Sequence, residues 1–138
     1  MISQLILDEA FRSYNLQERN RATGCILSEV KGCIMEDIVL LETQVARKDT
    51  QVFHLKFAVG EFDMVIFHPD TASCEIYEIK HSTEIVPEQS RHLLDEKKCA
   101  ETTSRFDTIT GKYVIYREKT QKVDGIQYVN VENYLREW

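Results

Sequence analysis

Near residue 50 the hydrophobic period of this chain switches from that of a helix to that of a strand, and few folds accommodate both halves. Before the switch, Ile26, Val30, Cys33, Ile34, Ile38, Leu41 and Val45 recur at steps of one, three or four and predict a helix over 26–45 with a broad apolar stripe toward the core. Gly32 costs that helix about 1 kcal/mol relative to Ala and marks close packing or a break. A preceding run, Ile2, Leu5, Ile6, Ala10 and Phe11, predicts another helix over 2–20, with Gly24 interrupting the two. After the switch, Phe53 to Phe57 alternates strictly and predicts a strand; 62–67, apolar on both faces apart from Asp63, predicts a second, and Cys74 to Lys80 a third. His68-Pro69-Asp70-Thr71-Ala72-Ser73 is turn chemistry and makes a hairpin of the last two. Pro87-Glu88 opens a helix running to about 102, followed by a strand over 112–117, a turn at Asp124-Gly125, a short strand over 126–129 and a terminal helix over 131–138. The expected architecture is α/β, one mixed central sheet flanked by helices.

A chain of 138 residues is expected to form a single domain: a helical extension over 1–25, a core over 26–117, and a C-terminal strand and helix over 118–138. No apolar run reaches the roughly 20 residues that span a bilayer, and no basic flank precedes the first apolar residues, so neither a membrane partner nor a secretory signal is expected. Cys25, Cys33, Cys74 and Cys99 form no Cys-x-x-Cys pair, which disfavours structural zinc. They read as buried small hydrophobes in a reducing cytoplasm. The net charge of −6 excludes a protein that grips nucleic acid by diffuse phosphate attraction. It leaves open a site where acidic residues hold a metal and the metal meets the phosphate.

Alternation places Ile76, Glu78 and Lys80 on one face of the third strand. A carboxylate and an ammonium in so apolar a strand are costly to desolvate unless something pairs them or they line a cleft. In a hairpin centred between 70 and 71, Asp63 falls opposite Glu78. Two carboxylates so placed repel unless a proton or cation lies between them, and a divalent metal such as Mg²⁺ is commonly held by one or two carboxylates plus water and a substrate phosphate. Acid-x-Lys also occurs at Glu29-Val30-Lys31, Asp95-Glu96-Lys97 and Glu96-Lys97-Lys98, but only the copy at 78–80 lies in a predicted strand beside another acidic residue. Asp70 is the alternative acid, although its place in the turn favours local hydrogen bonding.

Gly60-Glu61-Phe62-Asp63, the hairpin, and Glu78-Ile79-Lys80 together resemble the Asp…Glu-x-Lys core of the PD-(D/E)XK nuclease-like superfamily, and more narrowly the nuclease-like domain found C-terminal to certain AAA+ ATPase modules. The resemblance covers 26–117 and implies a restriction-endonuclease-like α-β-β-β-α-β core. Gly32-Cys33-Ile34-Met35-Glu36-Asp37-Ile38-Val39 is similar to the family's leading helix, which assigns Glu36 as a further metal ligand; Glu42 and Glu29 are the alternatives on that helix. The resemblance implies metal-dependent phosphodiester hydrolysis of nucleic acid, DNA ahead of RNA. Asp63, Glu78 and Lys80 would be catalytic. Glu36, Asp63, Glu78 and the Ile79 carbonyl would hold Mg²⁺ or Mn²⁺, and Lys80 would orient water or stabilise charge on the phosphorane. The alternative it leaves is a catalytically inactive interaction or regulatory domain working with an AAA+ ATPase. A homodimer would supply the basic surface one copy lacks.

Weaker candidates surround this set. Alternation turns His81 away from Glu78. Gln89 stands where some family members place a substrate-contacting Gln, but the Tyr expected one turn later is Leu93. Arg91, Lys97, Lys98 and Arg105 suit a phosphate backbone or a solvated helix face equally well. Tyr113, Tyr116 and Tyr128 read as core or sheet-face residues. No Gly-rich phosphate loop followed by Lys-Ser/Thr occurs, so this stretch is not itself an ATPase.

Overall fold

The computed structural model describes residues 16–137, so most of the helix expected over 2–20 lies outside the described residues. From Leu16 to Ala46 the chain forms one helix, α1, of 31 residues. Gly24 does not interrupt it, because a helical glycine costs only about 1 kcal/mol and good helix formers continue on both sides. Nor does Gly32 mark a break or a close contact: among the described residues, nothing apart from its chain neighbours and its own helix backbone lies within 4 Å of the position its Cβ would take. Gly32→Ala is therefore expected to stabilise the protein by about 0.5–1 kcal/mol. A urea midpoint that fails to rise would show that residue 32 is constrained by something other than helix propensity.

The stripe assigned to the core is corrected by the structure. Val30, Ile34, Ile38, Leu41 and Val45 are between 45% and 67% exposed, whereas Val39 and Thr43 are fully buried with Met35 and Leu40 packed beside them. Apolar residues occur on both sides of α1 over 34–41, so two stripes overlap and spacing alone does not choose between them. The choice is tertiary. Thr43 Oγ1 donates to the Val39 carbonyl at 2.6 Å and shares a 2.8 Å hydrogen bond with the Tyr134 hydroxyl, which pins that face of α1 inward. Two cysteines follow the exposed side: Cys25 and Cys33 are exposed, Cys99 is half-buried, and only Cys74 is the buried hydrophobe expected of all four.

Six strands follow: β1 (Gln51–Lys56), β2 (Glu61–His68), β3 (Ser73–Ile79), β4 (Thr108–Tyr116), β5 (Gln121–Val123) and β6 (Ile126–Asn130). They form one open mixed sheet in the order β1-β2-β3-β4-β6-β5. β1, β2 and β3 are a meander, β3, β4 and β6 run parallel, and β5 returns antiparallel on the outer edge. The β2–β3 hairpin turns through a 3₁₀ segment, Pro69–Thr71, and β5–β6 through Asp124 and Gly125, both at positive φ as a tight two-residue hairpin requires. The helix expected over 87–102 is divided into α2 (Pro87–Ser90) and α3 (Glu96–Phe106), with Asp95 capping the second. Leu93, fully buried, is the reason: the turn at 91–94 drops it into the core, which a continuous helix would not. α4 (Val131–Arg136), capped by Asn130, closes the chain.

Helices cover both faces of the sheet. Met64, Ile66, Tyr77, Ile79 and Ile115 pack against Val39 of α1 and Tyr134 of α4. Val65, Cys74, Ile76, Val114, Tyr116 and Tyr128 pack on the other side with Leu93, Cys99 and Phe106. Tyr116 and Tyr128 are thus core residues, and Tyr113 stacks on Tyr77 at 4.7 Å. No described helix is long and apolar enough to cross a membrane.

Candidate functional site

The β2–β3 register runs from His68↔Ser73 to Met64↔Tyr77, and one further step sets Asp63 opposite Glu78. Two irregularities then aim the side chains. Between Phe53↔Val65 and Leu55↔Phe62, two steps on β1 match three on β2, so β2 carries a bulge at Asp63–Met64 opposite His54. Bulges bend a strand and redirect its side chains. Here the bulge coincides with the end of the ladder: the Ile79 N–H donates to Asp63 Oδ2 at 2.7 Å, so the main chain of β3 holds the carboxylate. Lys80 lies one residue past β3, not within it, but its N–H still donates to the Ile115 carbonyl at 2.8 Å and keeps the chain extended.

Lys80 Nζ sits between the acids, 2.8 Å from Glu78 Oε2 and 3.3 Å from Asp63 Oδ2. Glu78 is 1% exposed and Asp63 6%. The other Glu78 oxygen, Oε1, is buried without a hydrogen-bond partner. A buried carboxylate oxygen with no donor costs free energy comparable to a lost hydrogen bond or more. Desolvation, with the Asp63 charge second, pushes the Glu78 carboxyl up to about 8, so near neutral pH the pair holds a proton that an exposed Glu would have released. Burial works against the Lys80 ammonium, but Asp63 and Glu78 outweigh it and its pKa lies above the ordinary Lys value.

Glu36 approaches from α1, half-buried, and its carboxyl is raised by desolvation and then by the Asp63 charge. It stands at the edge of the cluster: among the described residues no three His, Cys, Asp or Glu side chains converge as a ready-made metal set. Asp63, Glu78 and Lys80 are thus brought together, and Glu36 is brought near. Ile79 enters through its N–H. The alternatives Glu29 and Glu42 are exposed on α1, and Asp70 is exposed in the turn. His81 points to the α1 side, lining a cavity of about 310 Å³ with Ile34, Ile38 and Arg117. Gln89 donates to Ser82 Oγ at 2.8 Å, and Arg91, Lys97 and Arg105 are exposed.

Sequence reasoning missed three residues around the acids. His54 and Glu61 pair at 2.8 Å and both act electrostatically on Glu36. His92, in the turn between α2 and α3, hydrogen-bonds Lys98 and lies within the field of Lys80 and Asp63. No periodic signal marks His92, because its position follows from the break that buries Leu93. No protein-family model matches the chain, and no curated protein matches it significantly.

Proposed function

We propose that this protein hydrolyses phosphodiester bonds of nucleic acid, DNA ahead of RNA, using Mg²⁺ or Mn²⁺ held at Asp63 and Glu78. The observation that carries the reading is the Glu78 Oε1 atom, buried with no donor beside a second buried carboxylate. Besides Lys80 and a proton shared between the two acids, a divalent cation would satisfy both at once, and an all-oxygen donor set suits Mg²⁺ and Mn²⁺. The order α1-β1-β2-β3-α2-α3-β4, in which α2 and α3 together stand where the family has one helix, and the Asp63…Glu78-Ile79-Lys80 pattern support the likeness to PD-(D/E)XK nucleases, including its restriction-endonuclease-like core.

Asp63 and Glu78 would hold the ion, with Glu36 reaching it directly or through water. An ion held there would polarise a phosphate oxygen and lower the pKa of coordinated water. The Ile79 N–H keeps Asp63 Oδ2 from swinging out of place. Lys80, drawn off one of its two carboxylates, donates to the phosphate oxygens where negative charge grows, and low dielectric strengthens that contact. A second reading, a silent interaction domain associated with an AAA+ ATPase, is favoured by one feature: Lys80 already pairs with both acids and gives the cluster a metal-free reason to exist.

Calorimetric Mn²⁺ titration and a Mg²⁺-dependent cleavage assay on linear and nicked DNA separate the two. Wild type is expected to bind Mn²⁺ and cut. Asp63→Ala is expected to do neither, with cleavage down by at least about 10³-fold. No Mn²⁺ affinity in the wild type would overturn the nuclease reading and leave the interaction domain.

A further inference from the structure

A second group near the acids has the opposite problem from Glu78. Lys98, on α3, is only 8% exposed, yet among the described residues no carboxylate lies within ion-pair distance of its ammonium. Asp95, three residues before it, spends its Oδ1 on the main-chain N–H of Lys98 at 3.1 Å. The ammonium instead donates to His92 Nδ1 and lies 5.8 Å from the centre of the Phe57 ring. Burying a cation with an imidazole and an aromatic face in contact, and the Asp95 carboxylate acting on it only from beyond ion-pair distance, is costly unless an anion arrives.

The packing around the pair is specific. Gly60, at φ +83°, ends the β1–β2 turn directly over it, and a Cβ there would come within 2.6 Å of Lys98 Nζ and 2.7 Å of His92 Cε1. The turn bearing His92 is fixed by the Leu93 N–H bond to the Ser90 carbonyl at 3.0 Å and by the buried Leu93 side chain. Because a lysine ammonium only donates, Nδ1 of His92 must accept, which leaves the proton of the neutral ring on Nε2. Desolvation, followed by the charges of Lys98 and Arg91, keeps the ring neutral by lowering its pKa. Among the described residues Nε2 has no recorded acceptor.

We propose that His92 is a substrate-contacting residue whose Nε2–H donates to a phosphate of the nucleic-acid strand beside the Asp63–Glu78 pair, with Lys98 as the positioning residue that fixes its tautomer and supplies the countercharge. This rests on the nuclease reading for the nature of the anion. It adds a phosphate subsite on the α3 side of the acids, and it gives an acidic protein a local cationic foothold that requires no basic surface.

The test uses the described protein with a short fluorescein-labelled DNA duplex in Ca²⁺, read by anisotropy, together with NMR of the histidine rings. Wild-type His92 is expected as the Nε2–H tautomer, with its ring signals moving on duplex addition. His92→Ala is expected to weaken duplex binding about tenfold without changing Mn²⁺ affinity, and His92→Gln, which returns a donor near Nε2, to recover part of it. Lys98→Met is expected to raise the melting temperature of the ligand-free protein by several degrees, as an unpaired buried charge is removed, while the His92 tautomer becomes mixed and duplex binding falls. His92 signals unmoved by the duplex, or unchanged binding in His92→Ala, would overturn the inference even if the protein cuts DNA. Binding that depends on His92 in a protein that never cuts would sustain the subsite and remove the nuclease.

Discussion

Glu78→Gln is expected to match wild-type stability near pH 4, and to exceed it by a margin that grows through pH 6 and reaches a few kcal/mol at pH 9, when divalent ions are chelated. The carboxyl titrates near its ordinary value of about 4.5 in the unfolded chain and near about 8 in the folded protein. Between those values the folded state holds a proton the unfolded state has lost, so wild-type stability falls as pH rises through the window and levels off above it. Gln presents the shape of the protonated acid and cannot ionise, so the decline should vanish in the variant. Glu36, raised in the same direction, and His92, lowered, remain in both proteins and cancel in the comparison. Urea denaturation with EDTA at several pH values reads the effect. Saturating Mn²⁺ should restore the wild type at pH 9, where the pair has released its proton, and do nothing for the variant, which lacks one of the two carboxylates that would hold the ion; at lower pH the metal must displace that proton. For the same reason wild-type Mn²⁺ affinity should rise by up to about tenfold per pH unit below about 8. A pH-independent wild type would mean that Glu78 is ionised and already satisfied, and the case for a cation would go with it.

What was legible in the sequence was local. The Pro69 to Ala72 turn is set by residues adjacent in the chain, and a hairpin's register follows from its turn, so the pairing of Asp63 with Glu78 could be read from residue numbers alone. The buried face of α1 could not. Ile34, Ile38 and Leu41 compete on equal hydrophobic terms with Met35, Val39 and Leu40, and the decision lies in a hydrogen bond between Thr43 and Tyr134, 91 positions away. The break between α2 and α3 was hidden for a related reason. Nothing in 87–102 forbids a continuous helix; the chain turns at 91–94, where the Leu93 N–H donates to the Ser90 carbonyl and the Leu93 side chain is buried in the core. His92 follows from that turn, and Gly60 clears the space for it from another element altogether. The bulge at Asp63–Met64 is likewise a property of two strands together, since 62–67 read alone is apolar on both faces apart from Asp63 and carries no mark of it.

Lys80→Ala is expected to make folding depend on metal. With the ammonium gone, Asp63 and Glu78 remain buried with no cation near them, and removing one partner from a buried ion pair typically costs about 3–5 kcal/mol. At pH 6 a proton on the pair takes over part of the ammonium's role, so the loss should be modest there and approach the full figure by pH 9, where the pair must ionise. Mn²⁺ should then return stability in proportion to its occupancy, about 2.7 kcal/mol at a hundred times the dissociation constant. The affinity itself should be no weaker than in wild type, because the ion no longer competes with Lys80 for Glu78 Oε2 and Asp63 Oδ2. Cleavage should move the other way and fall by about 10²–10³-fold, since the donor aimed at the developing phosphate charge is absent. Thermal melts with and without Mn²⁺ at both pH values, beside the cleavage assay, read all three effects in one set of samples. A silent domain that uses Lys80 only as a structural counterion would show the destabilisation and no rescue by metal. That outcome would reassign the cluster to folding alone, because the same two carboxylates would then have accepted an ammonium and refused a divalent ion of matching chemistry.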